Sequence, residues 1–172
     1  EVHMKKSVLK VQMFGTYSIE YEGNPVSFER NTTTKTNQLM QILLQAGEKG
    51  VTRAKLLSDL FGNEEMSNPA NSLWATVFRL RRLLAAAGLP EDEYVTIRGG
   101  SYYWTSGIPY ELDAHQFEEL LKKAEKENDL EQKKSYIEEA CELYRGEFLP
   151  QLGAEGWAVV LNVYYKNLFS NA

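Results

Sequence analysis

A chain of 172 residues, 43% hydrophobic and 25% charged, with a formal net charge of −5, has the composition of one globular domain or two small ones. Its single cysteine, Cys141, excludes an intramolecular disulfide and every multi-cysteine metal site, and no secretory leader or bilayer-length apolar run is present. A reduced, soluble, cytoplasmic protein without membrane attachment is expected, with Glu1-Val2-His3 before Met4 read as a remnant outside the fold.

Charge is unevenly distributed. Residues 1–107 hold 12 basic and 11 acidic side chains, a net +1, whereas residues 108–172 hold 7 and 13, a net −6. A near-neutral segment can bind a polyanion if its positive charge is focused on one face, while a strongly acidic helical segment is repelled by phosphate. Two parts with two roles are expected, divided near the turn-forming "TSGIP" at Thr105–Pro109.

"VLKVQMF" (8–14) and "YSIEY" (17–21) alternate in part between apolar and polar residues and flank Gly15-Thr16, a pattern of short antiparallel strands that "VSFE" (26–29) continues. From Thr36 the period becomes helical, with Leu39, Ile42, Leu43 and Ala46 on one face and Gly47 to Gly50 as the stop. Thr52 caps a second, short helix, "RAKLLSDLF" (53–61), which Gly62 ends. Asn68 as N-cap and Pro69 in the first turn open a longer helix over 69–87, whose core stripe is Leu73, Val77, Leu80 and Leu84. "EYVTIRGGSYYW" (93–104) then reads as a β-hairpin turning at Gly99-Gly100. Further on, Phe117, Leu120, Leu121 and Ala124 share a face of one helix, and Tyr136, Ile137, Ala140, Leu143 and Tyr144 a face of the next, giving an αα-hairpin. A last helix carries Trp157, Val160, Leu161, Tyr164, Tyr165 and Leu168 with no stop signal, and its wide apolar face is expected to be covered by further helices or by a second copy.

The third helix poses the functional question. With its apolar stripe turned inward, Ser72, Ala75, Thr76, Arg79 and Arg82 fall on the other side. Short side chains let a helix approach the floor of the DNA major groove, and an arginine a turn or two later reaches a guanine edge or a phosphate. Arg79, Arg81 and Arg82 equally suit a solvated last turn that complements the helix dipole. The neighbouring short helix and the hairpin with Arg98 at its turn tip the reading toward a winged helix, whose wing meets backbone or minor groove.

"NSLWATVFRLRRLL" followed by "IRGGSYYW" resembles the recognition helix and wing of the OmpR/PhoB-type winged-helix domain. "LDAHQFEELLKKA", "CELYRGEFLP" and "EGW" resemble the bacterial transcriptional activator domain, and the combination is similar to the SARP (antibiotic regulatory protein) family of activators. The resemblance implies an α+β winged helix-turn-helix over 8–107, with an N-terminal antiparallel sheet, three helices and a hairpin wing, then an all-α tetratricopeptide-like domain over 108–172. It implies direct-repeat sites on double-stranded DNA near a promoter, head-to-tail protomers forming a homo-oligomer on DNA, contact with RNA polymerase, and a place at the bacterial nucleoid. Carried over by position, Ser72, Ala75 and Arg79 would face bases, Asn71, Thr76, Arg81 and Arg82 phosphates, and Arg98 the minor groove. This chain departs from the Arg-Gly-x-Gly-Tyr wing pattern at Ser101, and Trp74 and Phe78 stand where relatives often have polar residues. These two aromatics suit packing on the wing or linker better than reading a thymine methyl.

Elsewhere the residues favour plain structural roles. "GEKGVTR" (47–53) lacks the Gly-Lys-Ser/Thr ending of a phosphate loop and reads as a turn. Asp113 and His115 have no accompanying nucleophile, and Glu118, Glu119, Glu138 and Glu139 suit solvated helix faces, so no catalytic residue, metal ligand or cofactor site is expected. Cys141 reads as a small core residue. The competing function is a protein-interaction scaffold whose helical domain binds a protein or small ligand and whose winged helix does not bind DNA.

Overall fold

The computed structural model describes residues 7–27, 33–62, 64 and 68–172, and its backbone separates into two compact units. One comprises residues 26–109; the other joins residues 1–25 to 110–172. Expected strands at the N-terminus are present as β1 (Leu9–Gln12) and β2 (Ser18–Tyr21), antiparallel with Val11 opposite Ile19, and the hairpin closes through β3 (Asn24–Pro25). Of the expected 26–29 strand, Val26 and Ser27 lie in none, and Phe28 and Glu29 fall outside the described residues.

The domain boundary expected from sequence assigned residues 8–25 to the winged helix, but these strands group with the C-terminal helices. The cause is a strand that periodicity did not reveal, β7 (Tyr110–Leu112), which pairs parallel to β1 and completes the sheet order β3-β2-β1-β7. Asp113 fixes the junction. It opens α4 (Asp113–Lys126), and its buried carboxylate accepts hydrogen bonds from the N–H groups of Met13 at 2.9 Å, Phe14 at 3.0 Å and Ala114 at 2.8 Å. Burial raises the carboxyl pKa above its ordinary value, against the opposing pull of the three N–H donors and of Arg145. Asp113 is therefore a structural acceptor.

Helix α4 pairs with α5 (Leu130–Leu143) across a three-residue connection, and α6 (Gly156–Ser170) follows a 3₁₀ turn at Pro150–Leu152. Phe14, Phe117, Phe148 and Tyr165 are buried together as an aromatic cluster, with Phe14 edge-on to Phe117, Phe148 and Tyr165 at 5.4, 6.3 and 5.3 Å. On α5 only Ala140 is buried, and Cys141 beside it is half-buried rather than a core residue. On α6, Trp157, Ala158 and Tyr165 face inward, while Val159, Val160, Val163 and Tyr164 are exposed.

In the unit of residues 26–109, α1 (Lys35–Ala46) starts at Thr34, whose hydroxyl accepts from the Asn37 N–H. It packs on α2 (Arg53–Phe61) and α3 (Pro69–Ala86). The hairpin β5 (Tyr94–Arg98) and β6 (Ser101–Thr105) takes up β4 (Val51–Thr52) in the order β4-β6-β5. Three helices followed by a hairpin whose inner strand pairs back to the start of α2 constitute a winged helix-turn-helix. Dividing the chain by contacts leaves the charge asymmetry intact: this unit holds 9 basic and 8 acidic residues, the other 10 and 16.

Replacing Asp113 by Ala strands the buried N–H groups of Met13 and Phe14. Unfolding free energy should fall by about 2–4 kcal/mol, measured by urea titration, and Asp113→Asn, which keeps one acceptor oxygen, should recover part of the loss. A change within error for Asp113→Ala would show that the contact is dispensable.

Candidate nucleic-acid interface

Helix α3 is set by its ends and by one stripe. The Asn68 side chain accepts from the Asn71 N–H at 3.2 Å, Pro69 occupies the first turn where no N–H is needed, and Leu73, Val77, Leu80 and Leu84 are buried. Each such side chain contributes about 1.5–3 kcal/mol by leaving water, which fixes the helix about its own axis. Asn71, Trp74, Ala75, Phe78, Arg79, Arg81 and Arg82 are consequently exposed, and Ser72 and Thr76 half-buried.

Ala75, Arg79 and Arg82 are exposed, with Asn71 a turn before Ala75. The half-buried Ser72 and Thr76 line one groove together with Ala75, Arg79 and Arg82 and with Thr34, Lys35 and Thr36 at the start of α1. Their hydroxyls turn back along the helix, Ser72 Oγ donating to the Asn68 carbonyl at 3.3 Å and Thr76 Oγ1 to the Ser72 carbonyl at 2.7 Å. Each keeps acceptor capacity for an incoming donor. Arg81 is engaged within the fold, where its guanidinium donates to the Val95 carbonyl at 2.7 Å and ties α3 to β5.

Gly99 and Gly100, with φ of 58° and 79°, form a two-residue turn in the left-handed region, and Arg98 pairs with Ser101 across it. Serine at the second glycine position of the wing pattern is therefore accommodated, because the two glycines before it make the turn. The Arg53 N–H donates to the Gly100 carbonyl at 3.1 Å, anchoring the wing tip to the start of α2. The guanidinium carbon of Arg98 lies 4.7 Å from the centre of the Tyr103 ring, so the arginine rests on β6. Tyr103 in turn depends on Gly50, where a Cβ would fall 2.3 Å from the ring.

No acidic residue stands between Glu65 and Glu91. Among the described residues, Arg79, Arg82 and Arg98 form no ion pair with a carboxylate. The positive charge of α3 and the wing is thus open to an external anion. Trp74 and Phe78 do not pack as the sequence suggested: they remain 64% and 49% exposed and stack on each other, ring centres 5.6 Å apart and 10° from parallel. The guanidinium of Arg82 sits 5.9 Å from the Phe78 ring. Spacing alone placed both aromatics on the outer half of the helix, but the absence of a partner on the wing was not legible in it.

The described residues contain no group of three or more His, Cys, Asp or Glu side chains placed to hold a metal, and no helix long and apolar enough to cross a membrane. Helix-turn-helix and wing together define a winged-helix fold. Residues 29–104 match the family "Transcriptional regulatory protein, C terminal". The chain is 29% identical over 123 residues to Protein RcaC of Microchaete diplosiphon, a match covering 66% of this chain and 18% of that protein. Its fold is similar to that of Mycobacterium tuberculosis EmbR, solved in complex with a low-affinity phosphopeptide, with a TM-score of 0.74 and 18% identity over 97% of this chain and 43% of the EmbR chain. The chain thus spans 18% and 43% of the length of these relatives.

Two glycines of the wing region separate space from backbone conformation. Gly50→Ala meets both the ring of Tyr103 and a φ of +68°, whereas an alanine at Gly99 meets only its φ of +58°, with nothing within 4 Å. Urea titration should show about 2–4 kcal/mol lost for the first and about 1–2 kcal/mol for the second. Equal losses would mean that Tyr103 yields freely.

Proposed function

We propose that this protein is a sequence-specific transcriptional regulator of the SARP type that binds double-stranded DNA. α3 lies in the major groove, and the Gly99-Gly100 wing touches backbone or minor groove. The observation that supports this most directly is the outer face of α3, free of acidic residues, with Arg79 and Arg82 unpaired among the described residues and beside a wing that presents Arg98. A major groove about 12 Å wide admits one helix, and short residues at Ser72 and Ala75 let this one approach closely.

In this reading Ser72, Ala75 and Arg79 meet base edges, Asn71 and Arg82 meet phosphates, Thr76 does so by turning its hydroxyl proton from the Ser72 carbonyl to the phosphate, and Arg98 serves the wing. Arg81 reaches the backbone through its remaining donors while bracing β5. Residues 108–172 form an activator domain of tetratricopeptide-like helices, whose net −6 charge turns it away from DNA and whose exposed valines on α6 suit contact with protein. Activation through RNA polymerase from direct repeats, by protomers placed head to tail in the bacterial cytoplasm, completes the proposal. The chain's role is regulatory rather than catalytic.

The test is a titration of duplex DNA, both a site recovered by in vitro selection and its scrambled counterpart, at several salt concentrations. Affinity should fall steeply with salt, each neutralised phosphate adding about −0.9 to the log–log slope. Arg79→Ala should cost about 1–3 kcal/mol on the selected site and much less on the scrambled one. Arg98→Ala should weaken both alike and reduce the slope by about one. A flat salt dependence would favour the scaffold reading, and equal losses on both duplexes for Arg79→Ala would make that arginine a phosphate clamp.

A further inference from the structure

The pair Trp74 and Phe78 is not accounted for by hydrogen-bonding readout. Two large apolar side chains, 64% and 49% exposed, sit one helical turn apart on α3. Water opposes such exposure, and their mutual stacking shields only one face of each ring. Residues 66–90, which include the whole of α3, contain no carboxylate, and Arg79 and Arg82 flank Phe78. A partner for this patch must therefore bring apolar groups to the rings and negative charge to the arginines around them.

We propose that Trp74 and Phe78 form an apolar reading surface for the C5-methyl groups of thymine in the major groove. This inference rests on the DNA-binding reading above and adds to it the base that the helix prefers. Thymine is the one base of ordinary DNA whose major-groove edge carries a methyl group, and apolar side chains discriminate it by contact. Phosphates lie on both sides of that edge and suit Arg82, while Arg79 is left to a neighbouring base edge. Ala75, between the two aromatics in sequence, keeps the helix surface low beside them, so the rings project past it.

The geometry also sets the spacing. The ring centres are 5.6 Å apart, and bases along one strand rise by about 3.4 Å, so the two rings span between one and two base steps. They should favour thymines at adjacent or alternate positions. Because the rings already hold each other parallel, with Arg82 against Phe78, little side-chain freedom remains to be lost on binding.

The experiment replaces each thymine of an in vitro selected duplex by deoxyuridine, which removes the methyl group and keeps every hydrogen-bonding atom. The full chain should bind about fourfold more weakly at one or two of these positions, from the loss of one buried methyl each. Trp74→Ala and Phe78→Ala should bind the thymine duplex more weakly and should no longer distinguish it from the deoxyuridine duplex at the matching position. Both side chains are exposed, so thermal unfolding of the variants should match the parent chain; if one fails to fold, Trp74→Gln or Phe78→Ser takes its place, and the deoxyuridine series needs no variant at all. The inference is overturned if affinity is unchanged at every deoxyuridine, if the alanine variants keep the full loss, or if they alter self-association in sedimentation and leave thymine preference intact. Salt-dependent DNA binding with a flat deoxyuridine profile removes this inference alone, while absence of such binding removes the DNA reading itself.

Discussion

Everything proposed for this protein depends on the rotation of α3 about its axis, and four buried side chains set that rotation. Leu73, Val77, Leu80 and Leu84 are all at most 3% exposed. A helix whose apolar stripe is held this tightly cannot turn to bring other residues outward without exposing them, at about 1.5–3 kcal/mol for each side chain. The outward set of Asn71, Ala75, Phe78, Arg79 and Arg82 is thus a consequence of core packing. Any reader of DNA built on this helix inherits its alphabet from the stripe on the opposite side.

The wing is held by polar contacts in addition to its buried Tyr94, Val95, Tyr102 and Trp104. Arg81 reaches the Val95 carbonyl, Arg53 the Gly100 carbonyl, and β4 pairs with β6 at the start of α2. These contacts tie the hairpin to α3 and to the start of α2. Arg98 is steadied on Tyr103, for which Gly50 leaves the room. A glycine at the end of the first helical region therefore influences where a charge sits on the hairpin, a coupling through steric space alone.

Much of this was legible in the sequence because strong local signals agree with the fold. Thr52, Asn68, Pro69 and Gly99-Gly100 each mark a boundary that the backbone respects, and the α3 stripe follows the helical period without interruption. What escaped was non-local. β7 is only three residues long, and its partner β1 lies about a hundred positions earlier, so no period announced it, and residues 8–25, read with the winged helix, group by contact with residues 110–172. Arg81 read as a free cation because its acceptor is a main-chain carbonyl, which carries no residue identity. Trp74 and Phe78 read as packing residues because size and hydrophobicity ordinarily mean burial, whereas they stay exposed and stack on each other with Arg82 against Phe78.

The central claim is that α3 and the wing form one nucleic-acid face. Backbone and side-chain ¹⁵N–¹H NMR spectra of the full chain, recorded as a selected duplex is added, test this most directly. The account predicts shifts concentrated at Asn68–Arg82 and at Arg98–Ser101, including the Trp74 indole N–H, with residues 110–172 little changed. Shifts concentrated on α4 to α6, with the Trp74 indole and the Arg79 and Arg98 resonances unmoved at saturation, would contradict it.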